Sequence, residues 1–162
     1  MKISTLVLIG LIILAILLVA AVITKRKKSG LESGPWPFYS KKILSQPEQI
    51  LFHRLVKALP GHIILGQVQL SRVLGVKKGF NFHEWNNRIN RMSLDFVICG
   101  NDSSIVFAVE LDDSSHERKD RVEADIKKQR ALSAAGVPLV RWNVKSLPDE
   151  ATIITALPKT AA

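Results

Sequence analysis

The feature that most constrains this chain is an uninterrupted apolar run near its N-terminus, over residues 3–24. The run is 22 residues long and contains no charged side chain. At about 1.5 Å per residue, a helix of this length spans about 30 Å, the thickness of the hydrocarbon core of a bilayer. The sequence therefore predicts an N-terminal transmembrane helix. A cleaved signal peptide is the less favoured alternative, because signal peptides have shorter apolar cores.

The charges that flank the apolar run predict its orientation. Only Lys2 precedes the run, whereas four basic residues, 25–28, follow it directly. Because basic flanks stay on the cytoplasmic side, we expect a single pass with the N-terminus outside and the rest of the chain inside. The predicted localisation is a bacterial-type inner membrane, with residues 1–28 as the anchor and its basic stop.

The total charge of +9 is concentrated in this N-terminal part. Residues 29–162 hold 18 basic and 14 acidic residues, a net charge of +4. This mild excess permits a polyanionic partner such as DNA and does not require one. The single cysteine, Cys99, excludes a disulfide within the chain and a cysteine metal cluster. Such sparse cysteine use agrees with a reducing compartment.

Composition divides the rest of the chain into a linker, one domain and a tail. Glycine and proline interrupt residues 29–45, which are predicted to form the linker. The aromatic residues of this linker either lie at the membrane interface or pack onto the domain; they are Trp36, Phe38 and Tyr39. Residues 46–148 are long enough to bury one core, and residues 149–162 are predicted to form a C-terminal tail.

Hydrophobic periodicity predicts six elements in the domain. In order, they are a helix over 46–59, strands over 63–70, 94–99 and 105–111, a helix over 116–135, and a strand over 137–144. Ser45 and Glu48 form a capping-box pattern at the first helix. The αβββαβ order predicts an α/β fold in which a mixed sheet carries a helix on each face.

Three acidic residues lie at the ends of predicted strands. Asp95 opens one strand of the predicted hairpin, and Glu110 and Asp112 close the other. A turn over residues 100–103 brings Asp95 close to Glu110, and alternation puts Glu110 and Asp112 on one face. Converging carboxylates repel one another, and Mg²⁺ or Mn²⁺ would relieve that repulsion. The alternative is that all three are ordinary strand-end residues in a solvated loop.

Further polar residues follow in the next loop and helix. His116 is either a further ligand or base, or an ordinary surface residue. Arg121, Asp125 and Lys128 share one helix face. That face is either solvated and held by salt bridges, or it places Lys128 over the carboxylates, where its ammonium would orient water or a phosphate.

The stretch between the first two strands, residues 71–91, combines basic and aromatic side chains. Its basic residues are Arg72, Lys77, Lys78, Arg88 and Arg91, and its aromatic residues are Phe80, Phe82 and Trp85. This combination suits contacts with phosphates and bases, so the five basic residues are predicted to bind nucleic acid. The alternative is a loop whose rings pack inward and whose charges are solvated.

Residues 40–145 resemble the DUF2726 family. The resemblance is carried by Asp95-Phe96-Val97, by residues 109–113 with His116, by Asp125 with Lys128, and by residues 136–141. It implies the restriction-endonuclease-like fold of the PD-(D/E)xK superfamily and metal-dependent cleavage of phosphodiester bonds in DNA. It also implies that Asp95 and Glu110 bind the metal and that Glu48 supports it, although the capping box explains Glu48 equally well.

One position departs from the superfamily pattern, because Asp112 stands where that pattern has a lysine. Related branches also carry Glu-x-Asp, and some members place the lysine on the next helix, where Lys128 is the candidate. The resulting hypothesis is a membrane-anchored, Mg²⁺- or Mn²⁺-dependent nuclease acting on DNA. Its predicted catalytic residues are Asp95, Glu110, Asp112 and Lys128, the first three also binding the metal, with Glu48, His116 and Asp125 in support.

The alternative function is a non-catalytic module of the same fold that binds nucleic acid or a protein at the membrane. The sequence does not predict an oligomeric state.

Overall fold

The computed structural model describes residues 2–29, 35–113 and 119–158. The chain divides into two compact units, Met1–Lys41 and Lys42–Ala162. The first contains a single described helix, and the second contains the sheet.

Helix α1 spans Lys2–Ser29 in the first unit. The side chains described in it are those of residues 7–23, which are apolar or glycine and exposed. Within the described part of the chain, no helix has both the length and the apolar character needed to cross a membrane. This finding contradicts the predicted transmembrane anchor over residues 3–24, and with it the predicted inner-membrane localisation.

Helix α2, over Gln46–Ala58, opens the second unit. Its start agrees with the prediction because the capping box is formed: the Ser45 backbone N–H donates to Glu48 Oε2 at 2.5 Å. Leu51 and Leu55 lie one turn apart on its buried face. The helix ends directly before Leu59, which is followed by the helix-breaking pair Pro60-Gly61.

The sheet has four strands, arranged in the order β1-β2-β3-β4. Their bounds are Ile63–Gln69, Ser93–Cys99, Ile105–Asp112 and Leu139–Asn143. The first three strands are antiparallel neighbours, and β4 pairs with β3 in parallel. A parallel pair requires a crossover, which here contains a helix over Lys119–Ala134. The predicted mixed α/β sheet is therefore confirmed.

Helices cover both faces of this sheet, and each face has its own core. On one face α2 packs with a C-terminal helix over Glu150–Thr155; the buried residues are Leu51, Leu55, Leu59, Phe96, Ile98, Phe107, Val109 and Ile153. The other face is covered by a short helix over Leu70–Val73 and by Lys119–Ala134; its buried residues are Leu70, Leu94, Val97, Cys99, Ala108 and Leu132.

Two regions differ from the sequence prediction. The stretch between β1 and β2, predicted to be irregular, contains two short helices, α3 over Leu70–Val73 and α4 over Phe82–Asn87. In chain order, the crossover helix Lys119–Ala134 is α5 and the C-terminal helix Glu150–Thr155 is α6. Helix α6 lies in the predicted tail, where the Asp149 carboxylate caps it by accepting from the Thr152 N–H at 2.8 Å.

Candidate active site

The strand register brings Asp95 and Glu110 together. Phe96 pairs with Val109, so the preceding residue on β2 and the following residue on β3 oppose each other in this antiparallel pair. The Leu111 backbone N–H donates to Asp95 Oδ2 at 2.7 Å, which fixes the Asp95 carboxylate against β3. The predicted proximity of the two acids is therefore present.

The Lys128 ammonium lies on the Glu110 carboxylate. Its Nζ is 2.8 Å from both Oε1 and Oε2 of Glu110. The two side chains are only 12% and 11% exposed, so this ion pair is largely removed from water. Because α5 covers the face of the sheet that contains Ala108, and Glu110 is two residues further along β3, alternation points Glu110 toward α5.

Glu48 approaches Asp95 through the side chain of Gln67. The Gln67 amide donates to Glu48 Oε1 at 2.8 Å and to Asp95 Oδ1 at 3.3 Å. Gln67 has a φ of +52° in the middle of β1, a left-handed conformation that costs a residue other than glycine about 1–2 kcal/mol. We name Glu48, Gln67, Asp95, Glu110 and Lys128 the carboxylate site.

Asp112 has a different partner. Arg141, on β4, donates from Nη1 to Asp112 Oδ1 at 3.0 Å. The parallel register pairs Arg141 with Glu110, so its guanidinium lies along the edge of the carboxylate site. The Asp112 side chain is 48% exposed, which leaves it far more hydrated than Glu110.

The environment of the site disfavours negative charge on two of its acids. Burial raises the pKa of Asp95 above its usual value, and the charge of Glu48 raises it further, against the hydrogen bonds from Leu111 and Gln67 and the charge of Lys128. Burial also raises the pKa of Glu110; Lys128 opposes this shift and Asp95 adds to it. Carboxylates with raised pKa values in close proximity are typical of functional sites.

A preformed three-ligand metal cage is not present among the described residues, since no three His, Cys, Asp or Glu side chains there are grouped to hold an ion. Of the three predicted ligands, Asp112 is engaged by Arg141. Asp95 and Glu110 remain as oxygen donors: each carboxylate has about four lone-pair sites, of which the hydrogen bonds described above occupy two. Mg²⁺ is commonly bound by one or two carboxylates while it retains several waters, so this pair fits Mg²⁺ or Mn²⁺.

The other predicted site residues are not brought into the carboxylate site. His116 lies outside the described residues. Asp125 is exposed on α5 and makes no hydrogen bond or ion pair with Asp95 or Glu110. The predicted nucleic-acid contacts are all exposed side chains; they are Arg72, Lys77, Lys78, Arg88 and Arg91.

Sequence reasoning missed two residues of this region, Gln67 and Arg141. No local pattern marks Gln67, because its role depends on a left-handed backbone and on contacts across two elements. Arg141 stands out in the sequence as a charged residue within an apolar strand, but its partner Asp112 is determined by the parallel register of β3 and β4, which the sequence does not show. A basic residue in β4 can pair with an acidic residue at the end of the neighbouring strand, as Arg141 does with Asp112.

Comparison with known proteins places the chain in a family without assigning an activity. No curated protein and no solved structure matches it. A family model described as "Protein of unknown function (DUF2726)" matches residues 40–160, which include the whole sheet and the carboxylate site. The chain therefore belongs to the DUF2726 family.

Proposed function

We propose that this protein is a metal-dependent nuclease of the restriction-endonuclease-like PD-(D/E)xK fold that hydrolyses phosphodiester bonds in DNA. The observation that carries the proposal is the ion pair of Lys128 with both carboxylate oxygens of Glu110, next to Asp95 on the neighbouring strand. The αβββαβ order and the mixed sheet are consistent with that fold.

Lys128 supplies the function of the lysine that the superfamily motif carries two residues after the glutamate. Asp112 occupies that motif position in this chain and pairs with Arg141. An ammonium group has three N–H donors, of which two point to Glu110. The third remains for a phosphate oxygen or for the attacking water, and α5 holds it at the carboxylates.

Asp95 and Glu110 would hold Mg²⁺ or Mn²⁺, which when bound activates water and stabilises negative charge on the phosphate. Gln67 keeps Glu48 and Asp95 at hydrogen-bonding distance from one amide, so the two acids are oriented without direct contact. The Leu111 N–H donates to Asp95 Oδ2 and the Gln67 amide donates to Oδ1, so both oxygens of Asp95 are held in a fixed orientation.

The test uses the full-length chain, kept in a non-ionic detergent because α1 exposes an apolar surface. Labelled single-stranded and duplex DNA are incubated with Mg²⁺, with Mn²⁺ or with EDTA. We expect cleavage that requires the metal and that is lost in Asp95→Ala, Glu110→Gln and Lys128→Met. Lys127→Met is the matched control, because Lys127 is the neighbouring lysine on α5 and, among the residues that the structure describes, its ion pair is with the exposed Glu123.

Absence of cleavage by folded wild-type protein, or cleavage that persists in an Asp95→Ala/Glu110→Gln double variant, contradicts the proposal. Folding of each variant is checked by far-ultraviolet circular dichroism. If DNA binds and is never cut, the non-catalytic binding module becomes the function of the domain.

A further inference from the structure

The net positive charge of the second unit lies in one segment of consecutive residues. Residues 42–162 hold 17 basic and 13 acidic residues. Residues 70–92, which we name the basic segment, hold five of the basic residues and only one of the acidic ones. The remaining residues of the unit are therefore balanced, and the basic segment accounts for its entire net charge of +4.

Four of the five cations in the basic segment carry no ion pair within the described part of the chain. They are Arg72, Lys77, Lys78 and Arg91, and all four are exposed. Arg88 is the exception, since it pairs with Glu84 at 2.7 Å. A cluster of like charges without counterions is unfavourable for folding, and an anionic partner compensates for that cost.

Aromatic rings lie among these cations and are also exposed. Phe80, Phe82 and Trp85 are 58%, 56% and 41% exposed. Phe80 and Trp85 lie edge to face with centroids 5.9 Å apart. The Arg88 guanidinium lies 4.2 Å from the centroid of the Trp85 ring, which holds that ring in place. The interpretation that these rings pack inward is therefore wrong.

The basic segment begins and ends beside the carboxylate site. Gln69 pairs with Ser93, and the Leu70 N–H donates to the Met92 carbonyl at 2.8 Å. The two ends of the segment therefore lie side by side. The Gln69–Ser93 pair lies two positions from Gln67 on β1 and two positions from Asp95 on β2, which is about 7 Å along each strand. The two strands that carry Gln67 and Asp95 thus lead directly into the basic segment.

We propose that the basic segment is a docking surface for single-stranded DNA, and that unpaired strands are the substrates of the carboxylate site. The inference rests on the proposed function, because it names that function's substrate. Base stacking on aromatic rings requires a free base face, which an unpaired strand offers and a duplex covers. The four unpaired cations supply contacts with the phosphates.

The test measures binding separately from cleavage. Fluorescence anisotropy of a labelled oligo(dT) and of a blunt mixed-sequence duplex is recorded with the full-length chain in EDTA, so that no metal-dependent cleavage occurs. We expect the single strand to bind at least about ten times more tightly than the duplex. Trp85→Ala and Phe82→Ala should each weaken binding of the single strand about fivefold or more, since a stacked base contributes about 1–3 kcal/mol.

Trp36→Ala is the matched control, because Trp36 is also exposed, at 71%, but belongs to the first unit. Its affinity for oligo(dT) should equal that of the wild type. Equal binding of single strand and duplex, or unchanged binding in both aromatic variants, overturns the inference. So does binding to phosphatidylserine-containing vesicles in place of oligo(dT), because the surface would then be a lipid contact.

The cleavage assay distinguishes this inference from the proposed function. Metal-dependent cleavage that is equally fast on single strands and duplexes, and that is unaffected by Trp85→Ala, retains the nuclease and rejects the docking surface. Selective binding of oligo(dT) without any cleavage retains the docking surface and rejects both the nuclease and its substrate assignment.

Discussion

The carboxylate site and the basic segment are neighbours that are built in opposite ways. The carboxylate site takes its side chains from five elements, α2, β1, β2, β3 and α5, and its central ion pair is about 90% removed from water. The basic segment is continuous in sequence, and its charges are exposed and mostly without an ion pair to any described residue. The difference indicates that a cluster of buried polar groups requires a tertiary arrangement held by the core, whereas an exposed charged surface can be supplied by local composition.

The largest effect that tests this comparison is expected for Lys128→Met. The variant leaves Glu110 without its ammonium partner in a nearly dry environment, so the free energy of unfolding should fall by about 3 kcal/mol at neutral pH. Urea denaturation measures the change. Lys127→Met, at an exposed pair on the same helix, should change stability by no more than about 0.5 kcal/mol.

The loss of stability caused by Lys128→Met should also become smaller at acidic pH, because a protonated Glu110 is neutral and does not need a cationic partner. Equal effects of Lys128→Met and Lys127→Met would show that the ion pair is energetically ordinary. In that case the contrast between a buried site and an exposed segment would lose its physical basis.

Asp95→Asn should separate activity from stability. In the proposed nuclease it lowers cleavage at least about 100-fold, because a metal-binding carboxylate is lost. The pKa of Asp95 is raised in the folded wild-type protein. At pH values between the ordinary pKa of aspartate and this raised pKa, the folded state therefore binds more protons than the unfolded state. Wild-type stability therefore falls as the pH rises through that window.

Since Asp95→Asn removes this destabilising charge, its melting temperature at pH 7 should equal or exceed that of the wild type, and the difference should shrink toward pH 4. Thermal unfolding across that pH range measures the effect. A variant that is much less stable than the wild type at pH 7 would indicate that Asp95 is a structural residue.

Lys77→Gln/Lys78→Gln should affect binding and leave stability unchanged. When the logarithm of the affinity for single-stranded DNA is plotted against the logarithm of the salt concentration, four phosphate contacts give a slope of about −3 and two contacts give a slope of about −1.4. The free energy of unfolding should change by less than about 0.5 kcal/mol, because both side chains are exposed. An unchanged salt slope would show that these lysines do not contact phosphates.

The smallest effect is expected at Gln67, where two substitutions separate strain from hydrogen bonding. Both Gln67→Gly and Gln67→Ala remove the amide that joins Glu48 and Asp95, but only glycine relieves the left-handed backbone. We expect the glycine variant to be more stable than the alanine variant by about 1 kcal/mol. Equal stabilities would show that the backbone at Gln67 carries no strain.

Local signals predicted most of the second unit. The capping box at Ser45 and the alternation in β2 and β3 are properties of consecutive residues, so α2 and the hairpin were found near their observed bounds. Helix α6 was missed, although Asp149, a favoured N-cap residue, followed by Glu150 in the first turn was a usable signal. The transmembrane prediction rested on length and composition alone, and the structure contradicts it.

The carboxylate site was predicted where hairpin geometry suffices and missed where distant elements meet. The turn between β2 and β3 places Asp95 near Glu110 independently of the other elements of the fold. The pairing of Asp112 with Arg141 depends on the parallel register of β3 and β4. The bridge at Gln67 depends on the packing of α2 against β1, and neither arrangement leaves a mark in neighbouring residues.

The closure of the basic segment at Gln69 and Ser93 has a consequence for how this family can diversify. Both ends of the segment meet at one strand pair and one backbone hydrogen bond. The largely exposed stretch between Leu74 and Ile89 can therefore be lengthened, shortened or replaced without moving the strands that carry Asp95 and Glu110, whereas the ends of the segment pack against the core. In the proposed nuclease, exchange of this stretch would change the preference for a ligand while Asp95 and Glu110 stay in place.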